Sequence, residues 1–325
     1  MTRVAALPEN SQLPVFQIKP MLAIAGQPFD SPDFLYEVKW DGYRGLAYLE
    51  ERTILQSRNL QDITAVFPEL ADLHQPVRGR PAVLDGEIII PRTDGKPSFS
   101  LLQARGRLGD PLKIRQAARQ TPAIFMAFDI LYHQGRNVMA EALQLRKEIL
   151  QSEVRAAANL IVSQFILNQG ISFYEACVNR GLEGVMAKEL SSPYLPGKRS
   201  PLWRKFRHTL AGEFIIAGYE PGRGERALGA LILASYVEGR LIYRGKVGTG
   251  FDRGEERELM ACLQRLPAAP PPFREAIPEL KNPRWVEPRL VCQVEYLEMT
   301  PQGRLRHPGY RGLRRDKEPE ECSLP

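Results

Sequence analysis

Short apolar runs separated by turns characterise the first part of the chain and predict β-strands. Five such runs stand out, at 34–38, 45–49, 53–56, 82–90 and 123–131. Helical periodicity is interleaved with them over 140–154 and 172–180. Several of the strands follow each other too closely for a helical crossover, so antiparallel pairing should dominate. The first part is therefore predicted to be mixed α and β.

The pattern changes near residue 212, where strands and turns take over. Strand-like runs follow at 213–219, 229–236, 240–247 and 290–297, with one helical stretch at 253–266 ahead of the prolines of 267–272. Several short strands with a single helix predict a small β-barrel of the oligonucleotide-binding type, the OB-fold. We predict an α+β protein of two domains, residues 1–208 and 209–325.

Both ends of the chain carry weaker patterns. The first thirty or so residues contain five prolines and no periodicity, which predicts an extended lead-in. Residues 318–325 are expected to form a frayed tail.

Composition narrows the class of protein. The chain has 325 residues, of which 43% are hydrophobic and 25% charged, and these values are typical of globular domains. No apolar run approaches the roughly 20 residues needed to span a bilayer, and the N-terminus lacks a signal-peptide core. We expect a cytoplasmic protein without membrane association. The net charge of +6 is too small by itself to identify a polyanionic partner.

Candidate chemistry begins with the segment Glu37-Val38-Lys39-Trp40-Asp41-Gly42-Tyr43-Arg44. A lysine at the end of a strand, followed two residues later by Asp-Gly, places an amine beside a tight turn. The carboxylate of Asp41 and the guanidinium of Arg44 converge on it. A hairpin turn with surface charges explains this segment equally well when it is taken alone.

Further charged and aromatic patches follow in a fixed order. Each has a structural explanation on its own, but together they favour a functional site. They are Ser57-Arg58-Asn59, Leu84-Asp85-Gly86-Glu87, Phe128-Asp129, Glu183-Gly184-Val185-Met186-Ala187-Lys188, Trp203-Arg204-Lys205-Phe206-Arg207 and Arg314-Arg315-Asp316-Lys317.

With these strings, the chain resembles the ATP-dependent DNA ligases of the covalent nucleotidyltransferase superfamily, and in particular the ligase domain of bacterial end-joining ligases. The resemblance runs from about residue 20 to 317. It includes Phe67-Pro68-Glu69-Leu70, Pro221-Gly222-Arg223-Gly224, Gly245-Lys246-Val247-Gly248-Thr249-Gly250 and Leu305-Arg306-His307-Pro308.

The resemblance implies a three-step reaction. Lys39 would attack the α-phosphate of ATP, expel pyrophosphate and carry AMP through a phosphoramide bond. The adenylate would pass to a DNA 5′-phosphate, and the 3′-hydroxyl of the nick would then displace AMP. A lysine is nucleophilic only as the neutral amine, so nearby cations, the bound metal and partial desolvation would favour its deprotonation.

The resemblance also implies residue roles. Glu37 would accept from the adenine amino group, Phe128 would stack on the base, and Arg44, Arg58 and Glu87 would hold the ribose and neighbouring groups. Glu183, with Glu87, would bind Mg²⁺ or Mn²⁺. Lys188, Arg199 and Lys205 would approach the phosphates. Arg314, Asp316 and Lys317, in the second domain, would orient pyrophosphate, so the domains would close for this step and reopen for DNA.

Nicked or broken duplex DNA is the partner that the resemblance implies, and a monomer is the expected state. The basic stretches at 78–80, 105–107, 198–199 and 223–226 are candidates for phosphate contacts or for solvated faces. We expect no separate DNA-binding, polymerase or nuclease domain, and hence dependence on a partner such as a Ku-like end-binding protein.

Arg207 is one of the departures from the family pattern. Arg207 stands where the family usually has a second lysine. Arginine keeps the charge but offers a wider, forked donor, so the phosphate contact at this position is expected to differ.

Three alternatives stay open at this stage. An RNA ligase or an RNA-capping guanylyltransferase would share the lysine and strand motifs, although the strings near Ser57 and Leu305 favour a DNA ligase. An NAD-dependent ligase is disfavoured because the four cysteines, Cys177, Cys262, Cys292 and Cys322, lack the spacing of a zinc site. A non-catalytic nucleic-acid-binding protein built on a small barrel is the alternative from another class.

Overall fold

The computed structural model describes residues 13–155, 157–222, 224 and 226–322. The chain divides into two compact units after Arg207, one residue before the predicted boundary. Three predicted segments lie partly outside the described residues. The lead-in does so through residues 1–12, the basic stretch at 223–226 through Arg223 and Glu225, and the tail through residues 323–325. No helix in the described parts combines the length and apolar character needed to cross a membrane.

The first unit contains eleven strands and four α-helices among its described residues. The strands are β1 (Leu22–Ala25), β2 (Phe34–Val38), β3 (Tyr43–Leu49), β4 (Thr53–Ser57), β5 (Ala82–Ile89), β6 (Ile124–His133), β7 (Arg136–Asn137), β8 (Leu160–Val162), β9 (Phe165–Leu167), β10 (Gly184–Glu189) and β11 (Arg199–Arg207). The helices are α1 (Phe99–Gly106), α2 (Pro111–Gln120), α3 (Leu143–Glu153) and α4 (Gly170–Asn179).

Two sheets form the first unit. The first has the order β1-β11-β10-β2-β9, and the second has the order β4-β3-β5-β6-β7, with β8 beside β6. Pairing is antiparallel as predicted, except that β1 lies parallel to β11 and β8 parallel to β6. The chain therefore crosses from the first sheet to the second between β2 and β3, where Lys39 lies.

A mixed aromatic and aliphatic core joins the two sheets. Leu46, Tyr48 and Phe128 of the second sheet pack in one cluster with Met21 and with Trp203 of the first. A larger apolar cluster covers the other face of the second sheet and includes Leu102 of α1 and Leu150 of α3. Helix α4 packs through Cys177 on the remaining face of the first sheet. Apolar burial thus fixes both sheets and leaves a cleft at the β2–β3 crossing.

The second unit is an antiparallel sheet with one helix. Its strands are β12 (Leu210–Pro221), β13 (Leu228–Val237), β14 (Arg240–Val247), β15 (Arg284–Tyr296) and β16 (Gly309–Leu313), in the order β14-β13-β12-β15-β16. Helix α5 (Arg253–Arg265) starts at a capping box, in which Asp252 accepts from Glu255 N–H and the Glu255 side chain accepts from Asp252 N–H. Leu259 and Leu263 of α5 complete the core of the sheet.

The structure adds elements that the apolar pattern did not predict. The lead-in contains β1, which pairs with β11, and Leu13, Val15 and Ile18 ahead of it are buried. Helices α1 and α2 were also missed, although Ser98 caps α1 and Asp110-Pro111 starts α2. Both helices are short and mostly exposed, so an apolar pattern is a weak signal for them.

The frayed tail predicted at 318–325 is wrong for the described residues 318–322. Pro319–Glu321 form a 3₁₀ turn, and the Cys322 side chain is buried in the core beside β13 and β15. The Cys322 carbonyl also accepts a hydrogen bond from Tyr236 N–H at 2.9 Å. Backbone pairing and apolar burial therefore hold this segment on the second unit.

A fully buried ion pair ties α3 to β6. Arg146 donates from Nε and Nη2 to the two oxygens of Asp129, at 2.8 and 3.0 Å, and both side chains are 0% exposed. Its Nη1 also donates to the carbonyls of Glu141 and Ser192. Removing the cation would leave a buried carboxylate without a counterion.

Replacing Arg146 with Met should lower the free energy of unfolding by about 3–5 kcal/mol, as measured by urea denaturation. The double variant Asp129→Leu/Arg146→Met should recover much of this loss, because no buried charge then lacks a partner. The exposed pair Arg92–Asp94 provides a control, and Arg92→Met should leave the midpoint nearly unchanged. A double variant as unstable as Arg146→Met alone would show that the pair does not act as a unit.

Candidate active site

The turn between β2 and β3 positions Lys39 and requires a glycine next to it. Lys39 N–H donates to the Gly184 carbonyl of β10 at 2.9 Å, which continues the β2–β10 pairing. At Gly42 a Cβ atom would lie 2.2 Å from the Ile88 carbonyl oxygen of β5. Only glycine allows this approach, so the Asp-Gly step brings the chain tightly from one sheet to the other.

A cavity of about 200 Å³ opens beside Lys39. Strands of both sheets supply its walls, and most of the polar lining residues are those predicted from the sequence. Its lining consists of Met21, Leu22, Ala23, Glu37, Val38, Lys39, Trp40, Arg44, Arg58, Glu87, Phe128, Met186, Lys188, Arg199, Trp203, Lys205 and Arg207.

Lys39 and Arg207 of the cavity lining contact Glu183, which lies beside the cavity and is absent from its lining. Lys39 Nζ contacts Glu183 Oε2, and Arg207 Nε lies 3.4 Å from Glu183 Oε1. Partial burial and the positive charges of Arg207, Lys39 and Arg199 together lower the pKa of Lys205 to about 8, against the opposing effect of Glu183. This side of the cavity is therefore suited to an anion such as a polyphosphate.

Glu87 is the second carboxylate on this side. Burial raises its pKa to about 8, the negative charges of Glu183 and Asp85 act in the same direction, and Arg44 and Lys39 oppose them. Glu87 and Glu183 together fit a hard divalent cation, which prefers carboxylate oxygens. Among the described residues no group of three or more acidic, histidine or cysteine side chains converges. A bound Mg²⁺ would therefore take its other ligands from water and phosphate oxygens, as this ion commonly does.

Arg44 and Phe128 form another part of the wall. The Arg44 guanidinium lies 4.5 Å from the centroid of the Phe128 ring. Its Nε and Nη2 atoms donate to Asp85 at 2.5 and 2.6 Å, and the Tyr194 hydroxyl donates to the same carboxylate at 2.6 Å. Asp85 raises the pKa of Arg44 against the effect of burial, so this guanidinium stays charged. Arg44 is thus rigidly held beside the aromatic ring.

Glu37 and Lys188 lie at the Phe128 end of the cavity. Lys188 Nζ is 2.7 Å from Glu37 Oε2 and 4.1 Å from the centroid of the Phe128 ring. Lys147 Nζ from α3 contacts Glu37 Oε1. Burial lowers the pKa of Lys188 to about 8, with Glu37 opposing the shift and Lys147 adding to it.

The remaining predicted residues of the first unit lie at the edge of the cavity or beside it. Arg58 is exposed and also lines a second cavity of about 340 Å³ with Lys19 and Asn59. Arg199 is exposed and donates from Nη1 to the Ala23 carbonyl at 2.6 Å. Asp41 lies in the turn after Lys39 and is absent from the cavity lining.

Arg314, Asp316 and Lys317 form a cluster of their own on the second unit. Arg314 donates from Nε and Nη2 to Asp316 at 2.9 and 2.8 Å, and it also contacts Glu213. Lys317 Nζ lies 3.8 Å from Glu213. The hydrogen bonds from Arg314 lower the pKa of Asp316 to about 2. Glu213 completes this cluster and was not singled out in the sequence.

The sequence pattern predicts the buried charges only in part. Asp85 and Asp129 appear in it as members of longer strings, and Lys147 is not predicted. Asp85 and Asp129 stand inside apolar strands, which is a usable signal because a carboxylate there needs a partner. Lys147 gave no comparable signal, because it stands beside Arg146 in an ordinary helical pattern.

One suggested DNA contact is wrong. Arg105, in the basic stretch at 105–107, is 2% exposed and donates to Glu69 Oε1 at 2.7 Å and to the Thr121 carbonyl at 2.9 Å. It therefore stabilises the first unit. Arg107, Lys198 and Arg226 are exposed, as a phosphate contact requires.

Two family models match the chain. The model described as "ATP dependent DNA ligase domain" matches residues 20–207, and "ATP dependent DNA ligase C terminal region" matches residues 224–317. Together they cover the cavity described above and Arg314, Asp316 and Lys317 of the second unit. They confirm the predicted nucleotidyltransferase domain followed by an OB-fold domain.

Known proteins agree with these matches. The chain is 35% identical over 311 residues to the multifunctional non-homologous end joining DNA repair protein LigD of Mycobacterium tuberculosis, which covers 94% of this chain and 39% of that protein. DNA ligase C1 of Mycolicibacterium smegmatis is 31% identical over 325 residues, which are 94% of this chain and 92% of that protein. The chain thus spans well under half the length of LigD and almost all of ligase C1.

The fold of this chain also matches that of a solved DNA ligase structure. A mycobacterial DNA ligase D complexed with ATP and MES is 33% identical, with 96% of this chain and 99% of that chain covered and a TM-score of 0.57. These findings confirm the resemblance found in the sequence, and they do not favour the RNA ligase, capping or non-catalytic alternatives. The chain therefore belongs to the family of ATP-dependent DNA ligases.

Proposed function

We propose that this chain seals 5′-phosphate/3′-hydroxyl breaks in duplex DNA with ATP, through a lysine-AMP and a DNA-adenylate intermediate. One observation carries the proposal. Lys39 lines a cavity that has cations and Glu87 on one side, with Glu183 in contact with the Lys39 amine, and an aromatic ring with a buried carboxylate at the other end. A nucleotide has the matching division into polyphosphate and base.

In the first step the Lys39 amine forms a bond to the α-phosphorus of ATP while the bond to the pyrophosphate oxygen breaks. Lys205 and Arg199 are the cavity cations proposed to neutralise charge on the phosphates, whereas Lys188, predicted for the same role, lies beside Glu37 and Phe128 at the proposed base end. Glu183 and Glu87 would hold Mg²⁺ or Mn²⁺, which supplies charge neutralisation for the triphosphate. The proton that the Lys39 amine loses passes to solvent, because a carboxylate that holds a divalent cation is a poor proton acceptor.

The nucleoside is proposed to lie at the Phe128 end. Phe128 would stack on the base, Glu37 would accept from the adenine amino group, and Arg44, Arg58 and Glu87 would approach the ribose and neighbouring groups. Arg314, Asp316 and Lys317 are proposed to orient pyrophosphate as it leaves. Asp41 is proposed to act from the turn that carries Lys39.

The proposed partner is nicked or broken duplex DNA, gripped through its phosphates in a salt-dependent way. End joining is the proposed context, because LigD, which is similar over its ligase portion, is named for it. We propose the bacterial nucleoid as the place where it acts. We propose that the chain acts as a monomer and that a Ku-like end-binding protein recruits it.

Incubation with α-labelled ATP and Mg²⁺, followed by denaturing electrophoresis, should leave label on the protein. Lys39→Ala and Lys39→Arg should both reduce the label to background, because neither methyl nor guanidinium is a usable nucleophile. Lys113→Ala, an exposed lysine of α2, is the matched control and should label normally. The label should move to a nicked DNA duplex when one is added.

Two outcomes would contradict this proposal. Label that persists in Lys39→Ala would place the nucleophile elsewhere. Label from GTP alone would indicate a capping enzyme instead.

Binding of α,β-methylene ATP, which resists expulsion of pyrophosphate, should take up protons near pH 8. The pKa of Lys205 is about 8, so this amine is partly neutral there, and an incoming polyphosphate favours its charged form. Affinity should therefore fall as the pH rises through about 8. Calorimetry in buffers of different ionisation enthalpy measures the uptake.

The control for this measurement is Lys205→Arg, which keeps the charge but cannot release a proton. Its proton uptake should be smaller than that of the unmodified protein. Equal uptake in both proteins would show that Lys205 does not sense the phosphates.

Dependence on a recruiting partner predicts weak intrinsic binding to DNA. The dissociation constant for a nicked duplex, measured by fluorescence anisotropy at about 0.15 M salt, should lie above the nanomolar range and rise steeply with salt. Addition of a Ku-like protein should increase the rate of end joining. Nanomolar binding by the chain alone at this salt concentration would argue against the need for recruitment.

A further inference from the structure

Glu37 is surrounded by more positive charge than it can neutralise. Lys147 Nζ contacts one oxygen of its carboxylate, and Lys188 Nζ lies 2.7 Å from the other. All three side chains are 1% exposed. Asp129, which also acts on Lys188, is fully engaged by Arg146. Two buried amines thus share one carboxylate. Burial of the second positive charge costs free energy, because no further counterion among the described residues offsets it.

The two lysines differ in their access to the cavity. Lys188 is part of the lining, together with Glu37 and Phe128, whereas Lys147 is not. Lys147 projects from α3, and its Nζ lies 5.5 Å from the centroid of the Phe165 ring on β9. It therefore reaches Glu37 from outside the cavity, where no nucleotide competes with it.

Lys188 is under-satisfied as well as buried. Although Lys188 Nζ is close to Glu37, it donates no hydrogen bond of acceptable geometry to any of the described residues. It lies over the rings of Phe128 and Trp203, at 4.1 and 4.3 Å from their centroids. An amine with unused donors next to the proposed base-stacking ring can bind an acceptor on the base edge.

Glu37 and Lys188 thus present opposite preferences to a purine. An ionised carboxylate only accepts hydrogen bonds, and an ammonium only donates them. Adenine presents an amino donor where guanine presents a carbonyl acceptor. Glu37 facing that edge favours adenine, and Lys188 facing it would favour guanine.

We propose that Lys147 is a positioning residue that holds Glu37 toward the base edge and so sets the preference for ATP over GTP. This inference rests on the proposed function, in which Glu37 accepts from the adenine amino group. Without Lys147, Lys188 becomes the only cation at Glu37, and the carboxylate turns toward it and away from the base. The loss is then one of nucleotide recognition, while the Lys39 chemistry is unaffected.

The test measures the rate of Lys39 labelling against the concentration of ATP, and separately of GTP. Lys147→Met removes the charge and keeps an unbranched side chain of similar length. It should raise the half-saturating ATP concentration roughly tenfold, leave the maximal rate within about twofold, and reduce the ATP-to-GTP preference roughly tenfold. Lys147→Arg, which keeps the cation, should restore most of the preference.

A matched control separates positioning from general destabilisation. Arg105 is equally buried in the same unit, is paired with Glu69 and is absent from the cavity lining. Arg105→Met should lower stability but leave the ATP-to-GTP ratio unchanged. Half-saturating concentrations and ratios do not depend on the fraction of active enzyme, and Lys147→Gln offers a second charge-removing variant if Lys147→Met folds poorly.

The outcomes distinguish failure of the proposed function from failure of the role proposed for Lys147. Unmodified protein that takes no label from ATP would overturn the proposed function itself. Normal labelling of the unmodified protein, with an unchanged ratio in Lys147→Met and Lys147→Gln, would overturn only the role of Lys147. An equal change in Arg105→Met would also overturn it, because the effect would then follow stability.

Discussion

Charge burial is the constraint on which the first unit depends. Glu37, Asp85 and Asp129 are each 0–1% exposed, and each is neutralised by a cation from another element. Asp129 pairs with Arg146 of α3, Asp85 on β5 with Arg44 of β3, and Glu37 with Lys147 of α3 and Lys188 of β10. An unpaired carboxylate in these places would cost several kcal/mol, so the pairs define one arrangement of the two sheets and α3.

The same constraint shapes the electrostatics of the cavity. The charged residues that hold the sheets together form ion pairs with each other. The charged residues at the opening of the cavity are poorly compensated by opposite charges. Burial therefore raises the pKa of Glu87 and lowers that of Lys205, and the opposite charges nearby offset these shifts only in part. A divalent cation would relieve the first and a polyphosphate the second. The cavity is therefore electrostatically suited to both.

The strands could be predicted from the apolar pattern where burial follows the period of a strand. The runs at 34–38 and 82–90 correspond to β2 and β5, and the helical pattern at 140–154 contains α3. The apolar pattern did not predict the elements whose position depends on tertiary pairing. Strand β1 exists because β11 accepts it as a parallel neighbour, and Cys322 is buried because its carbonyl accepts from Tyr236. Neither event is encoded in the local period.

The sequence by itself determined the family, the two-part architecture and most of the polar cavity residues, because the chemistry of adenylate transfer requires particular residue types in a particular order. Only the tertiary structure decided which charges meet. It joined Arg44 to Asp85 and Lys147 to Glu37 across 41 and 110 positions of chain, and it withdrew Arg105 from the surface. A charge in a sequence has no fixed partner, because its energy depends on burial and on distances of a few ångströms that are set when the sheets and helices pack.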